Sequence, residues 1–225
     1  MDKTMPQPVE GTLRKFALRI PAVILQCSGI LVFGKRIKSL VFSTDLSIIR
    51  NCNADAIMAV YPFTPQSIIT QALLLAADIP VFAGVGGGLT QGPRGVHLAR
   101  YAEMQGATGV VVNAPTKTEV VEEICKEVDI PVVATIANFN TDYIDKIRVG
   151  AKIINVSAAD QTPAVVRNIR KDYPDIPIIA TGGPTDESIE STIEAGANAI
   201  TWTPPSSSVI FKSIMAAYRE NLPHP

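Results

Sequence analysis

The sequence predicts a (β/α)8 barrel, and three observations carry the prediction. From Lys38 onward, eight short β-branched runs alternate with longer segments of helical periodicity. The runs are near-continuously apolar, as strands of a parallel sheet covered on both faces are. Proline hinges and glycine-alanine pairs punctuate the chain about every 20 to 30 residues, the length of one βα unit. An open doubly wound sheet shares these local signals, but it rarely carries eight uninterrupted units, and the first βα turn here lacks G-x-G-x-x-G.

Residues 1–37 precede the repeat and are expected to add an N-terminal helical element. Within them Ile20 to Phe33, IPAVILQCSGILVF, is broken by Pro21, Gln26, Ser28 and Gly29 and falls short of the ~20 apolar residues of a membrane span. It begins after a mixed-charge leader, too far in for a simple signal peptide. It is expected to pack under the barrel or against a second subunit. The strands follow in order: Ser39 to Ser43, Ala56 to Tyr61, Pro80 to Gly84, Gly109 to Asn113, Pro131 to Ile136, Ile153 to Ser157, Ile176 to Thr181 and Ala199 to Thr203. Between them lie amphipathic segments: Pro65 to Ala77, Thr118 to Val128, Thr141 to Val149, Pro163 to Tyr173 and Glu187 to Ala195. A last helix begins near Val209. Thr64-Pro65, Thr162-Pro163 and Thr185-Asp186 supply capping residues where a first turn starts. Gly106-Ala107, Gly150-Ala151 and Gly196-Ala197 supply glycine where a helix ends. The whole, residues 1–225, reads as one domain, with the eight units spanning 38–222.

Composition narrows the function. Twenty Lys+Arg stand against 21 Asp+Glu, a net charge of -1 without blocks of like charge, so nucleic acid and acidic membrane have no electrostatic support as partners. A small-molecule ligand is expected instead. Cys27, Cys52 and Cys125 are odd in number and widely spaced in apolar or helical surroundings, which points to reduced, packed thiols and a cytosolic compartment. With His97 and His224 the only histidines, a histidine-held metal is not expected, nor is any cofactor. G-x-S-x-G, Walker-type and H-E-x-x-H motifs are absent.

In such a barrel the reacting groups stand at the carboxyl ends of the strands. Asp45 follows the first strand and is the best candidate acid or base there, its rival role being to cap the next helix. Asp160, after the sixth strand, has the same two readings. A third reading is a divalent-metal enzyme that uses Asp45 and Asp160 together with substrate oxygens. Asn113, Asn138, Asn140, Asn155 and Ser157 make the rim rich in neutral hydrogen-bonding groups, and Trp202 is placed to stack on a ligand ring. The loop Gly84 to Arg94 carries five glycines and is costly to order, so it reads as functional, with Arg94 available to pair with a carboxylate or phosphate. A phosphate site is expected at the last two strands, on Thr181, Gly182 and Gly183 and around Thr203 and Ser206. Paired glycines bring backbone N–H groups to an anion, and a serine-capped helix start offers more.

The Ala180-Thr181-Gly182-Gly183 turn, the following Ala195-Gly196-Ala197 and the layout of Lys38 to Leu222 resemble the phosphate-binding barrels that include keto-deoxy-phosphogluconate aldolase, the ribulose-phosphate epimerases and the thiamine-phosphate synthases. The aldolases' resemblance implies a Schiff-base lysine on the sixth strand, where the nearest lysine here is Lys152. The pattern departs there: the family's Phe-Phe-Pro is Ile153-Ile154-Asn155, and strand alternation turns Lys152 away from Asn155. The resemblance implies an enzyme on a small phosphorylated or carboxylated metabolite, of lyase or isomerase type, abstracting a proton next to a carbonyl. The alternative is a regulatory barrel that binds such a metabolite without turning it over. The apolar N-terminal segment and helix faces predict a homo-oligomer.

Overall fold

A computed structural model describes residues 6, 7, 9, 11, 18–139 and 143–224. Most of residues 1–17, together with Asn140 and the expected helix start at Thr141, lie outside them. The described part of the N-terminal element is a 3-10 turn, Ala22–Gln26, followed by a β-hairpin of β1 (Ile30–Val32) and β2 (Lys35–Ile37), not the helical element that was expected. The reason is local. Phe33 and Gly34 both sit at positive φ, 47° and 80°, the two-residue turn whose twist suits antiparallel strands. Alternation then buries Ile30, Val32 and Ile37 and leaves Leu31 and Phe33 exposed.

All eight predicted barrel strands form: β3 (Ser39–Phe42), β4 (Ala56–Ala59), β5 (Val81–Gly86), β6 (Gly109–Val112), β7 (Val132–Ile136), β8 (Ile153–Val156), β9 (Ile178–Thr181) and β10 (Ala199–Trp202). They pair in parallel and in order, and β10 closes on β3 through Ile200–Ser39, Thr201–Leu40 and Trp202–Val41. This is a closed parallel (β/α)8 barrel. Leu40, Met58, Phe82, Val133, Ile153 and Ile179 fill its lower interior together with the three buried hairpin residues, so the hairpin plugs the amino-terminal end of the strands. Residues of the other strand face, such as Val41, Ile57, Val110 and Ile154, pack under the helices.

Those helices are α1 (Leu46–Arg50), α2 (Ser67–Ala76), α3 (Pro93–Met104), α4 (Thr118–Glu127), α5 (Tyr143–Arg148), α6 (Thr162–Asp172), α7 (Asp186–Glu194) and α8 (Ser207–Arg219). The 3-10 turn packs against α7 with Ile24 and Cys27 fully covered. Asn53 Oδ1 accepts from the Ile20 N–H at 2.8 Å, the Gly29 N–H donates to the Asn198 carbonyl at 2.8 Å, and Lys38 Nζ donates to the Leu25 carbonyl at 2.6 Å. These bonds seat the segment across β10 and β3, where the last helix of the repeat would otherwise lie. Consistent with that displacement, no residue of α8 is buried. All three cysteines are free, and burial pushes the Cys27 and Cys125 thiols up to about 11. Among the described residues no helix is long and apolar enough to cross a membrane.

Candidate active site at the barrel mouth

The carboxyl ends of the strands carry a neutral, polar mouth. Asn155 and Thr201 are buried with one polar atom each, Oδ1 and Oγ1, that has no hydrogen-bond partner. Strand alternation sets both on the inward face, two positions above Ile153 and Ala199 of the interior cluster. Asn155 Nδ2 donates to Thr135 Oγ1 at 3.2 Å, a buried bond that fixes the amide across β7 and β8. An unpaired buried hydroxyl or amide oxygen is expensive, so two of them at one mouth mark a place where a ligand or ordered water belongs.

On one side of the mouth, β5 bulges between Gly84 and Gly86 against β6. Bulges of this kind re-aim the chain beside active sites. At Gly87, φ is 123° and a Cβ would stand 2.4 Å from that of Asn113, so only glycine lets the two strand ends meet. The five-glycine segment is a pinned turn: Gly87 and Thr90 exchange backbone hydrogen bonds at 2.9 and 3.0 Å, and Gln91 Nε2 donates to the Gly88 and Pro115 carbonyls. Arg94, at its end, is exposed and lines a groove between α2 and α3 on the outside of the barrel, not the mouth.

On the other side, Thr181, Gly183, Thr201, Trp202 and Thr203 border a cleft of about 400 Å³ where the phosphate site was expected. Gly182 has a packing reason of its own, since a Cβ there would come within 2.7 Å of Ile189 and 2.8 Å of Ile200. Gly183 turns the chain at φ 85° with Ser188 Oγ 2.6 Å from its would-be Cβ. The α7 start is closed by a reciprocal cap between Thr185 and Ser188, and Ser206 caps α8 by accepting from the Val209 N–H at 3.4 Å. Asp186 borders the same cleft, so neutral donors there must outweigh one carboxylate for an anion to bind. Trp202 packs against the outer-layer core beneath α7.

The two candidate carboxylates differ. Asp45 caps α1: it accepts from the Ser47 N–H at 2.8 Å, the Ile48 N–H at 3.3 Å, the Ser47 hydroxyl at 2.6 Å and the Ser207 hydroxyl. These bonds, led by that from Ser207, hold its carboxyl at about 2. Such a group is a weak base and a structural clasp. Asp160 is exposed in the 3-10 turn Ala159–Gln161 after β8, and its carboxylate makes no hydrogen bond to the described residues. Ala159 before it holds φ 51°, a left-handed conformation that costs a non-glycine residue ~1–3 kcal/mol and clusters at functional sites. Asn113 is half-buried at the end of β6, while Asn138, Ser157 and Thr203 are exposed on their strand-end loops. Lys152 stands before β8 at the opposite end, beside a cavity of about 390 Å³ under the hairpin, so it does not reach the mouth.

Two residues escaped the sequence reading. Thr135, the one polar side chain inside the apolar run of β7, carried a visible signal. Lys146 is 3% exposed, the only charged side chain buried among the described residues. Its Nζ donates to the Ala114 carbonyl at 2.9 Å and so ties α5 to the loop that follows Asn113.

No protein-family model matches the chain, and no curated protein does. Solved structures do match. A phosphonopyruvate hydrolase in complex with oxalate and Mg++ aligns with a TM-score of 0.61 at 12% identity, covering 83% of this chain and 83% of that one. A 2,3-dimethylmalate lyase, described as a PEP mutase/isocitrate lyase superfamily member, gives 0.59 at 13% identity over 88% of this chain and 80% of that one. A dihydrodipicolinate synthase from Agrobacterium tumefaciens gives 0.56 at 15% identity over 81% and 75%. The likeness establishes the barrel. It does not carry the aldolase framing drawn from the glycine turn, and Lys152, the lysine that framing looks to, lies at the opposite end from the mouth. Among the described residues no three of His, Cys, Asp and Glu gather into a closed metal cage, so a divalent cation here would rest on one or two carboxylates with substrate oxygens and water.

Proposed function

We propose that the barrel mouth binds a small hydroxylated metabolite carrying a carboxylate or phosphate, and that the chain is an enzyme of lyase or isomerase type. The observation that carries this reading is the pair of buried, unpartnered polar atoms, Asn155 Oδ1 and Thr201 Oγ1. Asn155 Oδ1 accepts, so it calls for a ligand hydroxyl, while Thr201 and Thr203 hydroxyls and the Gly183 N–H donate to an anionic group. Asn113 polarises a carbonyl from the β6 side, and Asp160 takes the proton from the adjacent carbon, its carboxylate unengaged where that of Asp45 accepts four hydrogen bonds. Neutral donors held in place before the substrate arrives stabilise the resulting enolate without having to reorganise. The kinds of enzyme that share this barrel, a lyase and a hydrolase of a phosphonate acid among them, support that class. The neutral lining favours a second reading, a barrel that holds the metabolite without turning it over.

The test begins with a thermal-shift panel of phosphorylated sugars, keto-acid phosphates, hydroxy acids and inorganic phosphate, followed by NMR of solvent deuterium entering the bound compound. One compound should raise the melting temperature and exchange its proton next to the carbonyl. Asp160→Asn should keep the thermal shift and slow exchange by ~100-fold or more. A shift without exchange selects the binding reading, and no shift from any compound removes the site.

A further inference from the structure

Two helix surfaces with exposed apolar side chains, on α8 and on α2, flank α1. On α8 and the residue turn beyond it, Phe211, Met215, Tyr218 and Leu222 recur at intervals of four, three and four, forming one stripe whose members are 65%, 42%, 48% and 52% exposed. The half-buried line Ile210, Ile214 and Ala217 leans toward the chain's own surface, and the exposed stripe stands about 100° round the helix from it. The chain's own barrel therefore cannot cover the stripe. Nor is there room for α8 to return to the outer layer between β10 and β3, because the 3-10 turn Ala22–Gln26 is already seated there.

The second surface is α2, SIITQALLLA, which is apolar nearly all round. A helix of that kind belongs in an interior. Its inner side packs on the barrel through Ile69, Leu73 and Leu74, yet Ile68 and Leu75 on the outer side are 64% and 80% exposed. Ile68 also lines the α2–α3 groove of about 630 Å³, where Pro65, Leu98 and Tyr101 alternate with the polar Gln66, Ser67, Arg94 and His97. The ridge and the groove are joined through α1: Ser207 donates to Asp45, its hydroxyl lies 3.2 Å from that of Ser47, and α1 packs on α2.

We propose that this chain forms a two-fold dimer in which α8 of each copy lies in the α2–α3 groove of the other. A surface that presents a ridge and a matching groove side by side is self-complementary, and a two-fold axis fills both at once. The area suffices. Four large side chains about half exposed offer ~80–100 Å² each, so two ridges and their two grooves remove roughly 1,400 Å², within the ~1,200–2,000 Å² of stable interfaces. The proposal is independent of the reaction at the mouth, although the docked helix begins at Ser206 and Ser207 and so steadies the loop after β10.

Light scattering on the full chain after size exclusion, at micromolar concentration, should give twice the 24.0 kDa of one chain. The double variant Phe211→Glu with Met215→Glu should halve that mass while keeping its helical circular dichroism. Because that variant can fail to fold, a cysteine pair gives an independent readout: Ile68→Cys with Met215→Cys, mildly oxidised, should yield a covalent dimer absent from the parent chain and from each single variant. A parent chain with the mass of one copy overturns the proposal. So does a pair that closes within one chain, which would make the groove's occupant the chain's own helix, and so does a covalent dimer from Met215→Cys alone, which would place α8 against α8.

Discussion

Replacing Thr201 by Val removes a hydroxyl that has no partner and keeps the β-branched shape of a side chain 7% exposed. An unpaired buried hydroxyl costs ~1–3 kcal/mol, and water entering from the mouth relieves part of that, so about 1 kcal/mol of stability should be gained. In a chain of this size that is a rise of about 2–4 °C in melting temperature. Thr162 supplies the contrast: it is also buried, at 1% exposed, but its Oγ1 accepts from the Ala158 N–H at 3.0 Å, so Thr162→Val should lose about 1 kcal/mol. Urea denaturation of both variants beside the parent gives the stabilities, and the thermal-shift panel gives binding. Thr201→Val should be the more stable protein and the poorer binder, the trade expected where a fold carries an unmet polar group for function. A Thr201→Val protein destabilised as much as Thr162→Val would mean the hydroxyl is bonded within the fold, and the reasoning that locates the site would fail.

Gly182→Ala should cost ~1–3 kcal/mol, because its Cβ would overlap Ile189 and Ile200, which are 2% and 0% exposed and have nowhere to move; a denaturation midpoint equal to the parent's would show the close approach to be absent. Asp45→Ala should remove the α1 cap and its tie to α8, lowering stability by about 1 kcal/mol at neutral pH after allowance for the exposure of the carboxylate. The folded carboxyl, at about 2, lies below its ordinary value of 3.8. Its contribution is therefore complete above pH ~4 and fades as pH falls toward ~2. The parent and Asp45→Ala should differ at pH 6 and converge at pH 2; a gap that widens on acidification would reverse the sign and the assignment.

The eight strands were legible because a parallel barrel buries both faces of each, which leaves short apolar runs such as IIAT and GVVV recurring between amphipathic segments. The hairpin was not read, although ILV-FG-KRI carries its alternation, because Phe33-Gly34 lacks the asparagine or aspartate that usually marks such a turn. At the mouth, sequence placed Asn113 and Asn155 at strand ends by counting alone. It could not divide Asp45 from Asp160, since that depends on Ser207, which lies 162 residues from Asp45 along the chain. Lys146 was invisible for a similar reason: a lysine three residues after a tyrosine reads as solvent-facing until the carbonyl of Ala114 is found beside it.

The seating of the 3-10 turn across β10 and β3 has a consequence for how the chain is made. Asn198 donates to the Ser28 hydroxyl across 170 residues, and β3 finds its second neighbour only in β10. During vectorial synthesis Ile24, Cys27 and the open edge of β3 must wait, uncovered, until α7 and β10 have emerged. Contacts so distant in sequence form slowly, and an unpaired edge beside apolar side chains is where nascent chains stick to one another. The first barrel strand laid down is thus the last to be sealed, and yield on refolding should fall with concentration well before the other seven barrel strands show any weakness.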